Sequence, residues 1–179
     1  MVKTISLSLF FIFIILIAFP IFNTNSSQTI SLSDQKVIYE LPYPGILPDN
    51  PLYSIKALRD RLLDFFTRDN IKKAQLYLMY SDKRANMAIL LSKKGKEKLA
   101  ITTLSKGEKY AAQIPGLLKG SKAQGVNPPD DLVFRSKLST TKHREIIDTF
   151  VKEFPQGEIQ SLQGIMEMND KTRKDLEGI

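Results

Sequence analysis

The stretch DNIKKAQLYLMYSDKRANMAILLSKKG, residues 69–95, decides the fold class. Its apolar residues recur at three- and four-residue steps, which is the period of one face of an α-helix. They are Ile71, Ala74, Leu78, Ala85, Ala88, Ile89 and Leu91. Asp69 or Asn70 is a suitable N-cap, and Gly95 is a suitable C-terminal stop. The stretch therefore predicts one long helix, whose small alanines suit close packing against other helices.

Apolar stripes on both sides of this stretch predict further helices. One stripe covers residues 52–66, and another covers residues 96–114, where Pro115 and Gly116 are expected to end the helix. The glycine- and proline-rich segment 116–130 predicts a linker, and residues 131–179 predict a helical hairpin. No segment shows sustained alternation of apolar and polar residues. We therefore expect an all-α fold, an antiparallel helical bundle of about five helices made of a three-helix part (51–115) and the hairpin.

Residues 41–53, LPYPGILPDNPLY, contain four prolines before the first stripe. Proline cannot donate a backbone hydrogen bond to a helix or a strand ladder, so residues 41–51 predict a proline-rich extended strap. Pro51 suits the first position of the helix that follows. Two interpretations of the strap stay open: it clamps across its own bundle, or it docks on another protein.

The N-terminus is very apolar. Residues 5–22 contain only two serines among apolar residues, and these 18 residues would form about 27 Å of N-terminal hydrophobic helix. This length lies between a long signal peptide and a short membrane anchor, so residues 1–26 predict either one, with a flexible stalk at 27–40. Lys3 on the N-terminal flank favours an outward-facing domain. The chain contains no cysteine, which excludes disulfides and thiolate chemistry.

The segment LPYPGILPDNPLYSIKALRDR, residues 41–61, resembles the opening of an uncharacterised bacterial domain-of-unknown-function family of exported, membrane-associated helical proteins. The resemblance continues through residues 104–110 and 142–145 and through the turn at Pro155, and it covers most of residues 41–177. The proline-rich opening is its most specific part. The resemblance implies a helical fold and export. It implies no reaction, ligand or catalytic residue.

The positive charge is concentrated in one half of the chain. Residues 56–109 hold 14 basic and 6 acidic residues, whereas residues 120–179 hold 9 basic and 10 acidic ones. The lysines near the two ends of the long predicted helix form a candidate anion-binding site: Lys72, Lys73, Lys93, Lys94, Lys96 and Lys98. Such a surface attracts anionic headgroups or wall polymers, although an ordinary solvated face is the alternative. Without a reader motif or tryptophan, we expect no specific nucleic acid.

Few residues are suited to catalysis. His143 is the only histidine, and we expect Lys142 and Arg144 to disfavour its protonation and His143 to pair locally on a helix face. Asp130 and Asp131 are adjacent, so they point in different directions and suit the first turn of a helix. We therefore predict a protein without catalytic residues, cofactor or metal.

These observations predict a non-enzymatic envelope protein, anchored on the outer face of a membrane or secreted if the N-terminal segment is cleaved. Its helical domain would act by binding or scaffolding. The expected partners are the membrane, through the N-terminal segment, and another envelope protein or an anionic polymer. A second hypothesis is electrostatic binding of anionic headgroups or wall polymers through residues 56–109. A third, an unrecognised hydrolase, would depend on His143.

Overall fold

The computed structural model describes residues 38–179. They form α1 (Tyr53–Phe66), α2 (Asn70–Lys93), α3 (Glu97–Ala111), α4 (Ile114–Ala123), α5 (Asp130–Glu153), a 3₁₀ turn (Gln156–Glu158) and α6 (Ile159–Glu177). No strand occurs in this part of the chain, which confirms the all-α fold. The predicted signal or anchor at 1–26 and most of the stalk lie outside the described residues. Between residues 38 and 179, no helix combines the length and the apolar character needed to cross a membrane.

Both predicted ends of α2 are confirmed. The Asp69 carboxylate accepts a hydrogen bond of 2.8 Å from the backbone N–H of Lys72, which satisfies one of the free donors of the first turn. At the other end Gly95 adopts a φ of +66°, and the N–H of Lys96 donates to the Leu91 carbonyl at 3.0 Å. This left-handed glycine reverses the chain. α3 consequently runs antiparallel to α2.

The predicted linker 116–130 is partly wrong, because α4 occupies its first half. Pro115 lies in the first turn of α4, where a missing N–H costs little, so it begins a helix here rather than ending one. Ile114 and Leu118 are fully buried, and their packing holds α4 against the bundle. Only residues 124–129 remain as a loop.

The core consists of two apolar clusters. The first lies where α2 meets α3 and α5 meets α6, and its residues are Ala85, Ala88, Leu91, Ala100, Ile101, Leu104, Ile146, Ile147, Phe150, Phe154, Leu162 and Ile165. The second lies at the other end and comprises Ala74, Tyr77, Leu78, Tyr80, Ile114, Leu118, Leu132 and Leu176. Along each long helix, buried polar residues separate the two clusters. We call this set the polar layer: Ser81, Asp82, Glu108, Ser136, Ser139, Thr140, His143, Asn169 and Thr172.

The strap contacts its own bundle, as the first interpretation expected, but it is not extended throughout, because residues 48–52 form turns before α1. The Asn86 side chain donates to the Pro42 carbonyl at 3.0 Å, and the ammonium of Lys56 donates to the Pro44 carbonyl at 3.2 Å. Tyr39, just before the strap, inserts its ring into the bundle and is buried. These contacts tie the strap to α1 and α2.

The apolar stripe of α1 faces solvent instead of the core, although the helices of a bundle are expected to bury their apolar stripes. Its side chains, together with Leu52 directly before α1, are 44–72 % exposed; we call them the α1 face: Leu52, Ile55, Leu58, Leu62, Phe65 and Phe66. Asp60 is the only buried residue of α1, with 6 % of its surface exposed. The helix therefore packs on the bundle through its polar side.

Candidate functional site

His143 lies at the centre of the polar layer, between two carboxylates from different helices. Its Nδ1 is 2.6 Å from Oε1 of Glu108 on α3, and its Nε2 is 3.1 Å from Oδ1 of Asp82 on α2. The side chain of His143 is fully buried, and both carboxylates are at most 4 % exposed. One imidazole therefore joins three helices inside the core.

Every oxygen of these two carboxylates accepts a hydrogen bond. Asp82 also accepts from the hydroxyl of Ser139 at 2.5 Å and from the phenol of Tyr39 at 2.6 Å. Glu108 also accepts from the side-chain amide of Asn169, on α6, at 3.0 Å. Buried charge is tolerated when it is paired and hydrogen-bonded, and this network meets that requirement with donors from α5, from α6 and from Tyr39 before the strap.

The environment keeps the imidazole protonated. Burial disfavours the cation, but the charge of Glu108 and the hydrogen bonds to both carboxylates outweigh burial and raise the pKa of His143 to about 10. Both ring N–H groups then donate, one to each carboxylate. Burial, followed by the charge of Asp82, holds the pKa of the Tyr39 phenol above its usual range. At neutral pH the imidazole of His143 is therefore charged.

The network brings together a serine, a histidine and an aspartate, but in the wrong order for nucleophilic catalysis. In a catalytic triad the histidine takes the proton of the serine, and the aspartate holds the other side of the ring. Here the hydroxyl of Ser139 donates to Asp82, and both nitrogens of His143 face carboxylates. All three side chains are buried. This geometry suits a structural crosslink inside the bundle.

The expected behaviour of His143 was wrong on two counts. It pairs with residues 35 and 61 positions away instead of locally, and its pKa is raised instead of lowered. The reason is that Glu108 and Asp82 reach the ring from other helices and raise the pKa, while its two basic neighbours are engaged elsewhere. Lys142 pairs with Glu145 at 2.6 Å, and Arg144 pairs with Asp148 and Asp170.

The acidic partners of His143 were not predicted, although the helical period contains a signal for them. Asp82 lies four residues after Leu78 and three before Ala85, so it continues the buried stripe of α2. Glu108 likewise lies four residues after Leu104 on α3. A carboxylate on an apolar stripe requires a buried partner, and a search for such partners leads to the only histidine of the chain.

The six lysines of the candidate anion-binding site do not form one cluster. Lys72 and Lys73 lie in the first turn of α2, whereas the other four surround its C-terminal turn. Lys94 and Lys96 both donate to the carboxylate of Asp49 in the strap, at 3.0 Å and 2.9 Å. Hydrogen bonds from Lys96 and Lys94 hold the pKa of Asp49 below its usual value. These two lysines thus already have an anionic partner.

The remaining lysines differ in their surroundings. Lys73 pairs with Asp64 of α1 at 3.2 Å, over the ring of Tyr77. Lys72, Lys93 and Lys98 are exposed, and no acidic side chain of the described part pairs with them. Anion binding at all six lysines stays a prediction, and these last three are the ones available for it.

A polar groove of about 400 Å³ runs between α1 and the α2–α3 pair. Tyr77 and Tyr110 line it with Arg84, whose guanidinium lies 4.5 Å from the Tyr110 ring centroid. Tyr80 is buried beside them. Two carboxylates of α1 also line the groove, together with Lys106 and Lys109. Because the groove contains both acidic and basic side chains, it suits contact with the polar side of α1.

Between residues 38 and 179, the other acidic residues form no metal site. Asp130 and Asp131 lie in the first turn of α5, as predicted. Within residues 38–179, no group of three or more histidine, aspartate or glutamate side chains is arranged to hold a metal ion.

An all-helical bundle with a strap, a buried charged layer and one outward apolar helix face defines the class of this protein. The chain belongs to the family described as a domain of unknown function (DUF5667), whose family model matches residues 45–157. The match includes Asp82, Glu108 and His143 but stops before α6, which supplies Asn169. No curated protein and no solved structure matches the chain.

Proposed function

We propose that this chain is a non-enzymatic protein of the cell envelope that displays its helical domain on the outer side of a membrane and acts by binding. The N-terminal segment 5–22 would hold it there, as an anchor or until cleavage. Its partners would be the membrane and either another envelope protein or an anionic polymer.

The observation that carries this proposal is the α1 face. A folded domain buries its large apolar side chains when it can, and the rest of this domain does so in two clusters. Six large apolar residues on one side of one helix are instead open to solvent. Contiguous apolar surface of this kind marks a site of interaction with another protein or a membrane.

Protease access to cells whose outer barrier has been removed tests the placement. Added protease should degrade the helical domain in these cells, while a cytosolic marker stays intact. Intact-mass measurement of the mature protein shows whether residues 1–26 remain. A chain that is protected in the same cells, fractionates as soluble and keeps its N-terminus would overturn the proposal.

Electrostatic binding of an anionic polymer is the second candidate function. The exposed Lys72, Lys93 and Lys98 support it, since no acid of the described part pairs with them. Asp49 occupies Lys94 and Lys96 and so competes with an external anion. Replacing Asp49 should therefore strengthen binding, which an uncharged mode of binding would not predict.

Polyphosphate binding by the full chain in detergent tests this candidate. Asp49→Asn should raise the affinity, Lys93→Glu with Lys98→Glu should lower it, and added salt should weaken it. Lys171→Glu with Lys174→Glu, at two exposed lysines of α6, is the control with the same change in net charge. Affinity that is insensitive to salt, or equal in the α6 control and the Lys93/Lys98 variant, would overturn the candidate.

A further inference from the structure

The α1 face has a surface chemistry that identifies one occupant. We propose that it inserts into the boundary between headgroups and acyl chains of an anionic bilayer, with α1 lying parallel to the membrane surface. The inference rests on the proposed function in one respect only, which is that the chain is held at a membrane. It adds a second, independent contact between the protein and that membrane.

The apolar side of α1 faces solvent and its polar side faces the bundle, which is the reverse of the other helices. At about 100° per residue, the α1 face covers an arc of roughly 140°, and Tyr53, Asp60 and Asp64 lie on the opposite side. This opposite side is the one that contacts the bundle. A helix with an apolar face toward the environment and a polar face toward protein matches the pattern of an interfacial helix.

Specific bonds hold the polar side of α1 on the bundle. The phenol of Tyr80 donates to the carbonyl of Asp60 at 3.0 Å, and the ammonium of Lys73 lies 3.2 Å from the carboxylate of Asp64. Lys56 of α1 donates to the strap. Turning α1 over to bury its apolar face would break all three contacts. The outward direction of the α1 face is therefore built into the fold.

The length of α1 favours a position on a bilayer rather than across it. Its 14 residues extend about 21 Å, and the hydrocarbon core of a bilayer is about 30 Å thick. Phe65 and Phe66 form an edge-to-face pair with centroids 5.4 Å apart at the end of the face. Aromatic and leucine side chains on one face are typical of helices that lie in the interfacial plane.

The charges beside the α1 face favour an anionic surface over a second copy of this chain. Arg61 lies on one flank of the face, and Arg68, just after α1, lies 5.9 Å from the centroid of the Phe65 ring. The two acids of α1 are on its inner side, where Asp60 pairs with Arg59 and Asp64 with Lys73. In a pair of copies joined through this face, Arg61 and Arg68 would therefore meet no unpaired acid of α1. Anionic headgroups supply the missing charge.

The chain between the N-terminal segment and the bundle is short enough for both membrane contacts. From Phe22 to Ile38 there are 16 residue steps, which span at most about 55 Å when fully extended. With residues 5–22 in the bilayer, the domain stays close to the surface. The first contact therefore raises the effective concentration of the α1 face at the lipid.

Single-cysteine labelling tests the insertion, because the natural chain has no cysteine. Leu58→Cys and Leu62→Cys place a polarity-sensitive fluorophore on the α1 face, and Phe134→Cys places it on an exposed apolar position of α5. The full chain is reconstituted into vesicles of phosphatidylcholine with phosphatidylglycerol. The emission of labels at 58 and 62 should shift to shorter wavelength, and iodide should quench it several-fold less strongly. Lipids that carry a nitroxide near the headgroup should quench it. The label at 134 should show none of these changes.

Three results would overturn the inference. Labels at 58 and 62 that are as open to iodide as the label at 134 would show that the face meets water. Protection without lipid quenching, together with crosslinks between labelled copies, would identify a second copy as the occupant. Protection with neither lipid quenching nor crosslinks would identify another segment of the same chain.

A charged variant and a flotation assay complete the experiment. Leu58→Glu with Leu62→Glu should keep the melting temperature, because both side chains are exposed, and should abolish the protection of a label at Ile55→Cys. If the chain floats with vesicles while the α1 face stays in water, the inference fails and the proposed function stands. If the chain neither floats nor reaches the envelope, the proposed function itself fails.

Discussion

Nδ1 of His143 lies 2.6 Å from Oε1 of Glu108 inside a fully buried layer, 35 residues away along the chain. This contact and the contact with Asp82 hold three helices together at the point where the apolar core is interrupted. A buried ion pair of this kind stabilises a fold weakly compared with apolar packing, but breaking one partner is costly. The polar layer is therefore the most sensitive part of the domain to single substitutions and to pH.

The pH dependence follows from the raised pKa of His143. A group whose folded pKa exceeds its unfolded value contributes its full stability below the unfolded pKa, about 6.5, and loses it as the pH rises through the folded pKa, about 10. We expect this residue to lower the free energy of unfolding by about 1.4 kcal/mol per pH unit across that window. Urea titrations at several pH values measure the slope.

The comparison with His143→Gln isolates this contribution. Burial lowers the pKa of Lys56 to about 8, so Lys56 acts in the opposite direction over part of the same window. Its contribution is common to both proteins and cancels in their difference. Equal slopes in the natural chain and in His143→Gln would contradict a charged imidazole.

Loss of one partner in the polar layer should destabilise the domain strongly. In Asp82→Asn the imidazolium loses one of its two carboxylates, and we expect a loss of about 3 to 5 kcal/mol. Lys142→Gln, next to His143 but part of a surface pair, should cost less than about 1 kcal/mol. Chemical denaturation of both variants measures the two losses, and similar losses would show that the layer has no special role.

The contact between Tyr39 and Asp82 should determine how firmly the strap is held. Tyr39→Phe removes a hydrogen bond of 2.6 Å to a charged group without changing the ring, and we expect a loss of about 1 to 3 kcal/mol. It should also speed proteolytic cleavage near residues 43–46. Tyr43→Phe is the control, because Tyr43 is 83 % exposed. Unchanged cleavage in Tyr39→Phe would mean that the other strap contacts suffice.

The features that sequence analysis predicted correctly depend on local chemistry. Asp69 caps α2 and Gly95 ends it because each acts on backbone groups within a few residues. Helical periodicity also located the stripes of α1, α2 and α3. Pro115 was misinterpreted because proline is compatible with the first turn of a helix as well as with the end of one. Local rules therefore predicted the helices, with an error at Pro115, which is permitted at either end of a helix.

The features that the sequence did not predict depend on which helices meet. A periodic stripe shows that α1 has an apolar face but not which medium that face contacts. The partners of His143 lie 35 and 61 residues away, and only the folded bundle brings them together. Lys94 and Lys96 are half exposed and match a solvated basic cluster by sequence, whereas the folded strap places Asp49 between them.

Two glycines provide a final prediction about how closely α2 and α3 pack. A Cβ on Gly107 would lie 3.1 Å from the Cβ of Arg84 and 3.2 Å from the carbonyl oxygen of Ser81, whereas a Cβ on Gly164 in α6 would meet nothing within 4 Å. Gly107→Leu should therefore push the helices apart and cost about 1 to 3 kcal/mol. Gly164→Leu should stabilise the domain by about 0.5 to 1 kcal/mol, since leucine favours helix over glycine. Thermal and urea unfolding of the two variants test this difference, and opposite signs are expected. If both substitutions stabilise the domain, then α2 and α3 are not in the tight contact seen at Gly107, and the approach of Asp82 on α2 and Glu108 on α3 to the same imidazole would need another support.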